Sequence, residues 1–138
     1  MELSAFLLRL GCAVLAGSVI GFERQWHQKN AGLRTNALVA LGAAIYVVIS
    51  IQMTGSTGDV TRIIGQVVVG VGFLGGGVIL HKGVDVSGLT TAATIWCSSA
   101  IGCLAAGGFY LETAICTFGI IIINTVLLRI DIWLKNRP

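Results

Sequence analysis

The stretch RIIGQVVVGVGFLGGGVIL, Arg62 to Leu80, stays apolar for the length of a membrane span and leads through HKGVDVSG into LTTAATIWC. A run this long and apolar is a helix that crosses a bilayer or a large core. Gly65, Gly70, Gly72, Gly75, Gly76 and Gly77, however, each disfavour a soluble helix by about 1 kcal/mol relative to alanine. Lipid changes that balance, because helices in a bilayer associate by close backbone packing, which small residues permit. Gly72 and Gly76 form a GxxxG step, and Gly65 lies one heptad earlier, so these three are expected packing positions. A second reading of Gly75, Gly76 and Gly77 is a broken helix whose exposed carbonyls hold a cation. Against it, the segment has no acidic residue to neutralise a divalent ion.

The rest of the chain agrees with a membrane setting. Of its 138 residues, 55% are hydrophobic and 11% charged, and its mean hydropathy is +0.89. At about 20 residues per span, five helices and short turns use the whole length. The expected fold is therefore all-α, a single transmembrane bundle over residues 1–138 with no separate soluble domain. Segment one runs from about Leu3 to Phe22 and carries the small-residue step Gly17 to Gly21. Segment two covers roughly Asn36 to Met53, segment three the glycine-rich stretch, segment four Thr91 to Ala106, and segment five Tyr110 to Leu128. Thr35 or Asn36 is the expected cap of segment two, and Ser87, Thr90 or Thr91 that of segment four.

Basic residues set the orientation. Arg24, Lys29, Arg34, Lys82, Arg129, Lys135 and Arg137 fall on one side of the bundle, against Arg9 and Arg62 on the other. This asymmetry places the N-terminus outside and the C-terminus in the cytoplasm. Tyr110, Trp26 and Trp133 fall where interfacial anchors belong.

Several function classes drop out. The formal charge of +3 is scattered rather than gathered into a stripe, so no nucleic-acid partner is expected. Cys12, Cys97, Cys103 and Cys116 lie in apolar segments without CxxC spacing or a histidine nearby, so neither a metal site nor a disulfide framework is indicated. The first segment has Glu2 in place of a basic leader and carries Arg9, so it reads as a helix rather than a signal peptide. No GxSxG, HExxH or P-loop pattern occurs, and no enzyme, catalytic residue or cofactor is expected.

Polar groups inside apolar segments need a reason, since lipid penalises them. Arg9, Gln66 and Glu112 all fall near the outer end, where they are expected to form one polar patch with Arg9 paired to Glu112 or Asp59. The alternative is that Arg9 and Glu112 reach separately to the headgroups. At the cytoplasmic end Glu23, Arg24, Arg34, Asn36, His81, Lys82, Asp85, Thr90 and Thr91 are expected to form one polar surface. Its uses are anion recognition at the N-termini of segments two and four beside Arg34 and Lys82, protein docking, or plain capping and anchoring.

The motifs themselves, IGFERQ (Ile20 to Gln25), AGLRTNALVALGAA (Ala31 to Ala44), GQVVVGVGFLGGGVIL (Gly65 to Leu80) and VSGLTTAATIWCSSAIG (Val86 to Gly102), closely resemble the N-terminal membrane domain of the MgtC/SapB family. The resemblance covers segments one to four in order; segment five shares only general character. Glu23, Arg24, Arg34, Thr35, Arg62, Gln66, Gly72, Phe73, Gly75, Thr90, Thr91 and Trp96 match the family pattern, whereas many members have histidine in place of Asn36 and alanine in place of Gly76. Virulence-associated members also carry a cytosolic domain resembling an ACT module, and the sequence to Pro138 has none.

The resemblance implies a bacterial inner-membrane protein linked to magnesium limitation and, in pathogens, to survival inside host cells. Longer members are thought to inhibit F-type ATP synthase rather than carry magnesium. The expected function is therefore a non-enzymatic regulator of another membrane protein, with F-type ATP synthase as the implied partner and a homodimer as the expected assembly. The competing expectation is a magnesium or sodium transporter or channel subunit.

Overall fold

A computed structural model describes residues 1–55, 58–82 and 85–137, with backbone alone at Lys82 and Asp85. Five helices among these are long and apolar enough to cross a membrane. They are α1 (Leu3–Trp26), α2 (Leu33–Thr54), α3 (Val60–Gly77), α4 (Leu89–Gly107) and a composite fifth, in which α5 (Tyr110–Ile122) passes through a π-helical turn (Ile123–Leu127) into α6 (Leu128–Lys135). All five expected segments are present. The first ends at Trp26 rather than Phe22, the second begins at Leu33 rather than Asn36 and the fifth continues to Lys135 rather than Leu128, because flanking polar residues continue the helix, whereas the third ends at Gly77, short of Leu80.

One element departs from the all-α expectation. Between α3 and α4 the chain forms a small antiparallel pair, β1 (Leu80–Lys82) and β2 (Asp85–Ser87), in the register Leu80 with Ser87 and His81 with Val86. It sits on the connection and leaves the bundle helical. Gly88 follows at φ +91°, and a side chain there would strike the Val78 carbonyl, so glycine is required both by conformation and by space.

The glycine-rich helix is continuous. Gly75, Gly76 and Gly77 form its last turn rather than a break in its middle, and the N–H groups of Val78 and Ile79 close on the Gly75 and Gly76 carbonyls at 3.2 Å each. Asp59 caps its start, accepting hydrogen bonds from the backbone N–H and hydroxyl of Thr61. Those bonds hold the Asp59 carboxyl below its ordinary range.

The hub of the bundle is α4, which touches α1, α2, α3 and α5. Half of its span is buried inside the protein, against 11% for α3. The core it shares with α1 and α2 is built of small residues: its own Ala105 and Ala106 form one buried cluster with Ala13, Ala44, Val47 and Val48. Small side chains bring the backbones together, and glycines complete the contact. A Cβ on Gly17 would lie 2.7 Å from the Asn36 carbonyl oxygen, and one on Gly21 would lie 2.6 Å from Leu33 Cα. A Cβ on Gly102 would overlap the Ala40 carbonyl. The expected Gly17 and Gly21 packing step is therefore the α1–α2 seam.

The glycines of α3 behave otherwise. A Cβ on Gly65, Gly70, Gly72, Gly76 or Gly77 would meet nothing within 4 Å, and only Gly75 approaches α4, at 3.6 Å from Ala92. Gly65, Gly72 and Gly76, expected as packing positions, thus meet no other element among the described residues.

Candidate functional site: a buried polar cluster at the basic end

The C-terminus of α1, the N-termini of α2 and α4, and the π-helical turn meet at one end of the bundle, the end richer in basic residues. Helix α1 stops there in a Schellman motif, with Gln28 left-handed at φ 53° and the Lys29 N–H bonded to the Arg24 carbonyl at 2.9 Å. This bend keeps the last turn of α1 over the start of α4.

Glu23 and Arg24, adjacent in sequence, are 7% and 3% exposed. Neighbouring residues on a helix point in different directions, and these two do not pair with each other. Glu23 Oε2 accepts a hydrogen bond from Asn124 Nδ2 at 3.2 Å, and Asn124 Nδ2 also stands 3.4 Å from Thr94 Oγ1. His27 Nδ1 lies 3.0 Å from the Glu23 backbone carbonyl and 3.0 Å from Glu23 Oε1. With its proton on Nδ1 the ring donates to the Glu23 carbonyl, and Glu23 Oε1 has no hydrogen-bond partner among the described residues. Arg24 turns the other way and donates from Nη2 to Thr91 Oγ1 at 3.0 Å, while its Nε is buried without an acceptor among the described residues.

Asn124 faces inward on the same side of the fifth helix as the buried Thr113 and Thr117, eleven and seven residues before it. It lies in the π-helical turn (Ile123–Leu127), where the Thr125 hydroxyl is bonded to the Ile121 carbonyl at 2.7 Å. Asn124 is 8% exposed. Sequence reading passed over it, although an asparagine inside the apolar run IIIINTVLL was its visible signal.

A second polar stitch lies beside the first. Asn36 is fully buried; its Nδ2 donates to the Ala31 and Gly32 carbonyls, and its Oδ1 accepts from Ser98 Oγ at 2.8 Å. It ties the α1–α2 turn to α4. Asn36 is thus not the cap of α2, because that helix begins three residues earlier at Leu33, whose N–H is taken by Gln25 Oε1 at 3.2 Å. Thr90 and Thr91 likewise lie inside α4, which starts at Leu89 behind Gly88. Thr91 belongs to the cluster and Thr90 borders it, exposed.

The remaining expected site residues stand apart. Arg34 is exposed and Thr35 half-buried, with no side-chain hydrogen bond to the cluster, and Trp96 is 49% exposed on the outer face of α4. The Asp85 and Lys82 side chains lie outside the described residues.

At the opposite end the expected patch does not close. Arg9 Nη1 donates to the Ala106 carbonyl at 2.7 Å and lies over Gly108, so it occupies the C-terminus of α4 rather than pairing with Glu112 or Asp59. The physical reason is that the last carbonyls of α4 lack intrahelical partners and carry the negative end of its dipole. Glu112 is exposed in the first turn of α5. Gln66 lies on another side, in an apolar groove of about 590 Å³ between α2 and α3.

The sequence profile of the MgtC family matches residues 10–132. The chain is 46% identical over its whole length to 58% of the uncharacterized protein slr0014 of Synechocystis. It is 49% identical to Protein MgtC of Salmonella typhimurium over 94% of this chain and 54% of that protein. With Protein MgtC of Brucella abortus the identity is 49% over 86% of this chain and 49% of the relative. The chain therefore spans about half the length of the curated relatives it matches, at their N-terminal end. No solved structure matches.

Proposed function

The chain belongs to the MgtC family, and from that premise we propose that this multi-pass membrane protein acts without catalysis, regulating another membrane protein through helix–helix contact. The observation that supports this most is the open glycine face of α3. Gly65, Gly72 and Gly76 leave backbone uncovered along one side of a peripheral helix, and a membrane helix with that face gains by receiving a second helix closely. The bulky residues around it, Val69 at 69% and Phe73 at 89% exposed, flank the same helix and supply the walls of a seam.

The partner implied by the family resemblance is the membrane portion of F-type ATP synthase, engaged under magnesium limitation; a second copy of this chain, forming a homodimer, would use the same face. In this proposal the basic end faces the cytoplasm of a bacterial inner membrane, in keeping with the bias of lysine and arginine.

Reconstitution separates regulation from transport. Purified protein in liposomes loaded with magnesium or sodium is expected to give no flux above empty vesicles. Membranes carrying it are expected to yield a co-purifying membrane partner that is lost with Gly72→Leu. Specific cation flux abolished by Gln66→Leu or Arg9→Gln would overturn the regulatory reading.

A further inference from the structure

A cleft of about 680 Å³ opens at the basic end, bordered by Arg24 and Lys29 from the end of α1, Thr90 from the start of α4, and Asn124, Asp131 and Lys135 from the fifth helix. It is separate from the α3 face. Three independent features of it call for an anion.

The first is the N-terminus of α4. This helix runs 19 residues from Leu89, and its cap, Gly88, has no side chain to offer. Its first intrahelical bond is Ala92 N–H to the Gly88 carbonyl at 2.8 Å. The N–H groups of Leu89, Thr90 and Thr91 therefore precede the ladder, without a protein acceptor among the described residues, at the positive end of the helix dipole.

The second is the state of Arg24. A guanidinium has five donors, and this one, 3% exposed, donates one hydrogen bond to Thr91 and keeps Nε buried without an acceptor. The nearest acid in sequence, Glu23, is turned away and held by Asn124. A buried guanidinium that keeps a donor unmet and has no carboxylate bonded to it among the described residues is costly, and an oxyanion in the cleft would relieve it with charge-assisted bonds.

The third is the rim. Lys29 and Lys135 add positive charge, of which Asp131 offsets part through its 2.9 Å pair with Lys135. The cleft is much larger than a single small anion, and apolar Leu89, Ile123 and Leu127 continue it along the helices. An arginine fork, a helix N-terminus and a threonine hydroxyl are the donor set that suits tetrahedral phosphate.

We propose that this cleft binds a phosphate group, with the α4 N-terminus and the Arg24 guanidinium as its main donors and Lys29 and Lys135 as rim charges. The phosphate comes from a lipid headgroup or from a soluble phosphate, two sources with one chemistry.

The full chain in nanodiscs tests this through its thermal unfolding midpoint, read from tryptophan fluorescence. One arm titrates inorganic phosphate against discs of phosphatidylcholine; the other adds phosphatidic acid to the discs in phosphate-free buffer. A saturable rise in either arm supports the site, and the arm in which it occurs identifies the source. Potassium chloride at matched ionic strength is expected to give no such rise. Arg24→Gln is expected to raise the half-saturation point about tenfold or more. Lys29→Gln and Lys135→Gln, both on exposed positions, are expected to raise it about two- to fivefold each, and they carry the test if Arg24→Gln does not fold. No saturable rise in either arm, an equal rise with chloride, or a half-point unchanged in every folded variant would overturn the proposal.

Discussion

Helices α3 and α4 are nearly equal in length, both span-grade and both rich in small residues, yet they use those residues in opposite ways. In α4 the small groups face inward: Ser98 and Ala105 are wholly buried, and Gly102 admits the Ala40 backbone. In α3 all the glycines but Gly75 look outward into space open among the described residues. Abundant glycine therefore reports that a backbone can be approached closely without saying which chain approaches it. The quieter small-residue pattern of α4, built from alanine, serine and threonine, marks the hub; the conspicuous glycines of α3 mark an edge.

Substitutions separate the two uses. Gly102→Leu should have the largest effect, lowering stability by about 3 kcal/mol through overpacking against α2, seen as loss of the cooperative thermal transition in detergent. Asn36→Ala comes next, at about 2 kcal/mol, because Ser98 and the turn carbonyls lose their shared buried partner. Asn124→Leu should cost about 1.5 kcal/mol by leaving the Glu23 carboxylate without its donor, and the loss should be smaller in Glu23→Gln than in wild type, which a double-mutant cycle measures. Gly65→Ala and Gly72→Ala should leave folding unharmed, or raise stability by up to about 1 kcal/mol each through helix propensity. A large loss of monomer stability in either would mean that the α3 glycines pack inside the bundle after all.

Most of the fold was legible before any coordinates. Hydropathy and length identify five spans, and turn formers separate them, because lipid imposes a simple length rule. The cluster at the basic end was partly legible: Glu23, Arg24 and Thr91 do converge, since polar residues at successive span ends are forced toward one end of a bundle. The pairings were not. Whether Arg9 meets Glu112 or the end of α4 depends on helix rotation, which charge alone does not fix, and the α4 carbonyls that won carry no side-chain signal. Asn124 shares a helical face with Thr113 and Thr117, but a lone polar residue in the run IIIINTVLL does not say which neighbouring helix that face meets. Gln25, quoted only as part of a motif, turns out to cap α2, a contact between residues eight apart that neither segment's own sequence announces.

The contrast between an inward α4 and an outward α3 is tested most directly by site-specific photocrosslinking in native membranes. A photoreactive residue replacing Gly72 is compared with one replacing Ile115, which also faces away from the bundle, at 61% exposure, but on α5. The account predicts intermolecular adducts at position 72 in several-fold excess over position 115. Equal yields at the two positions, with the bundle intact, would contradict it.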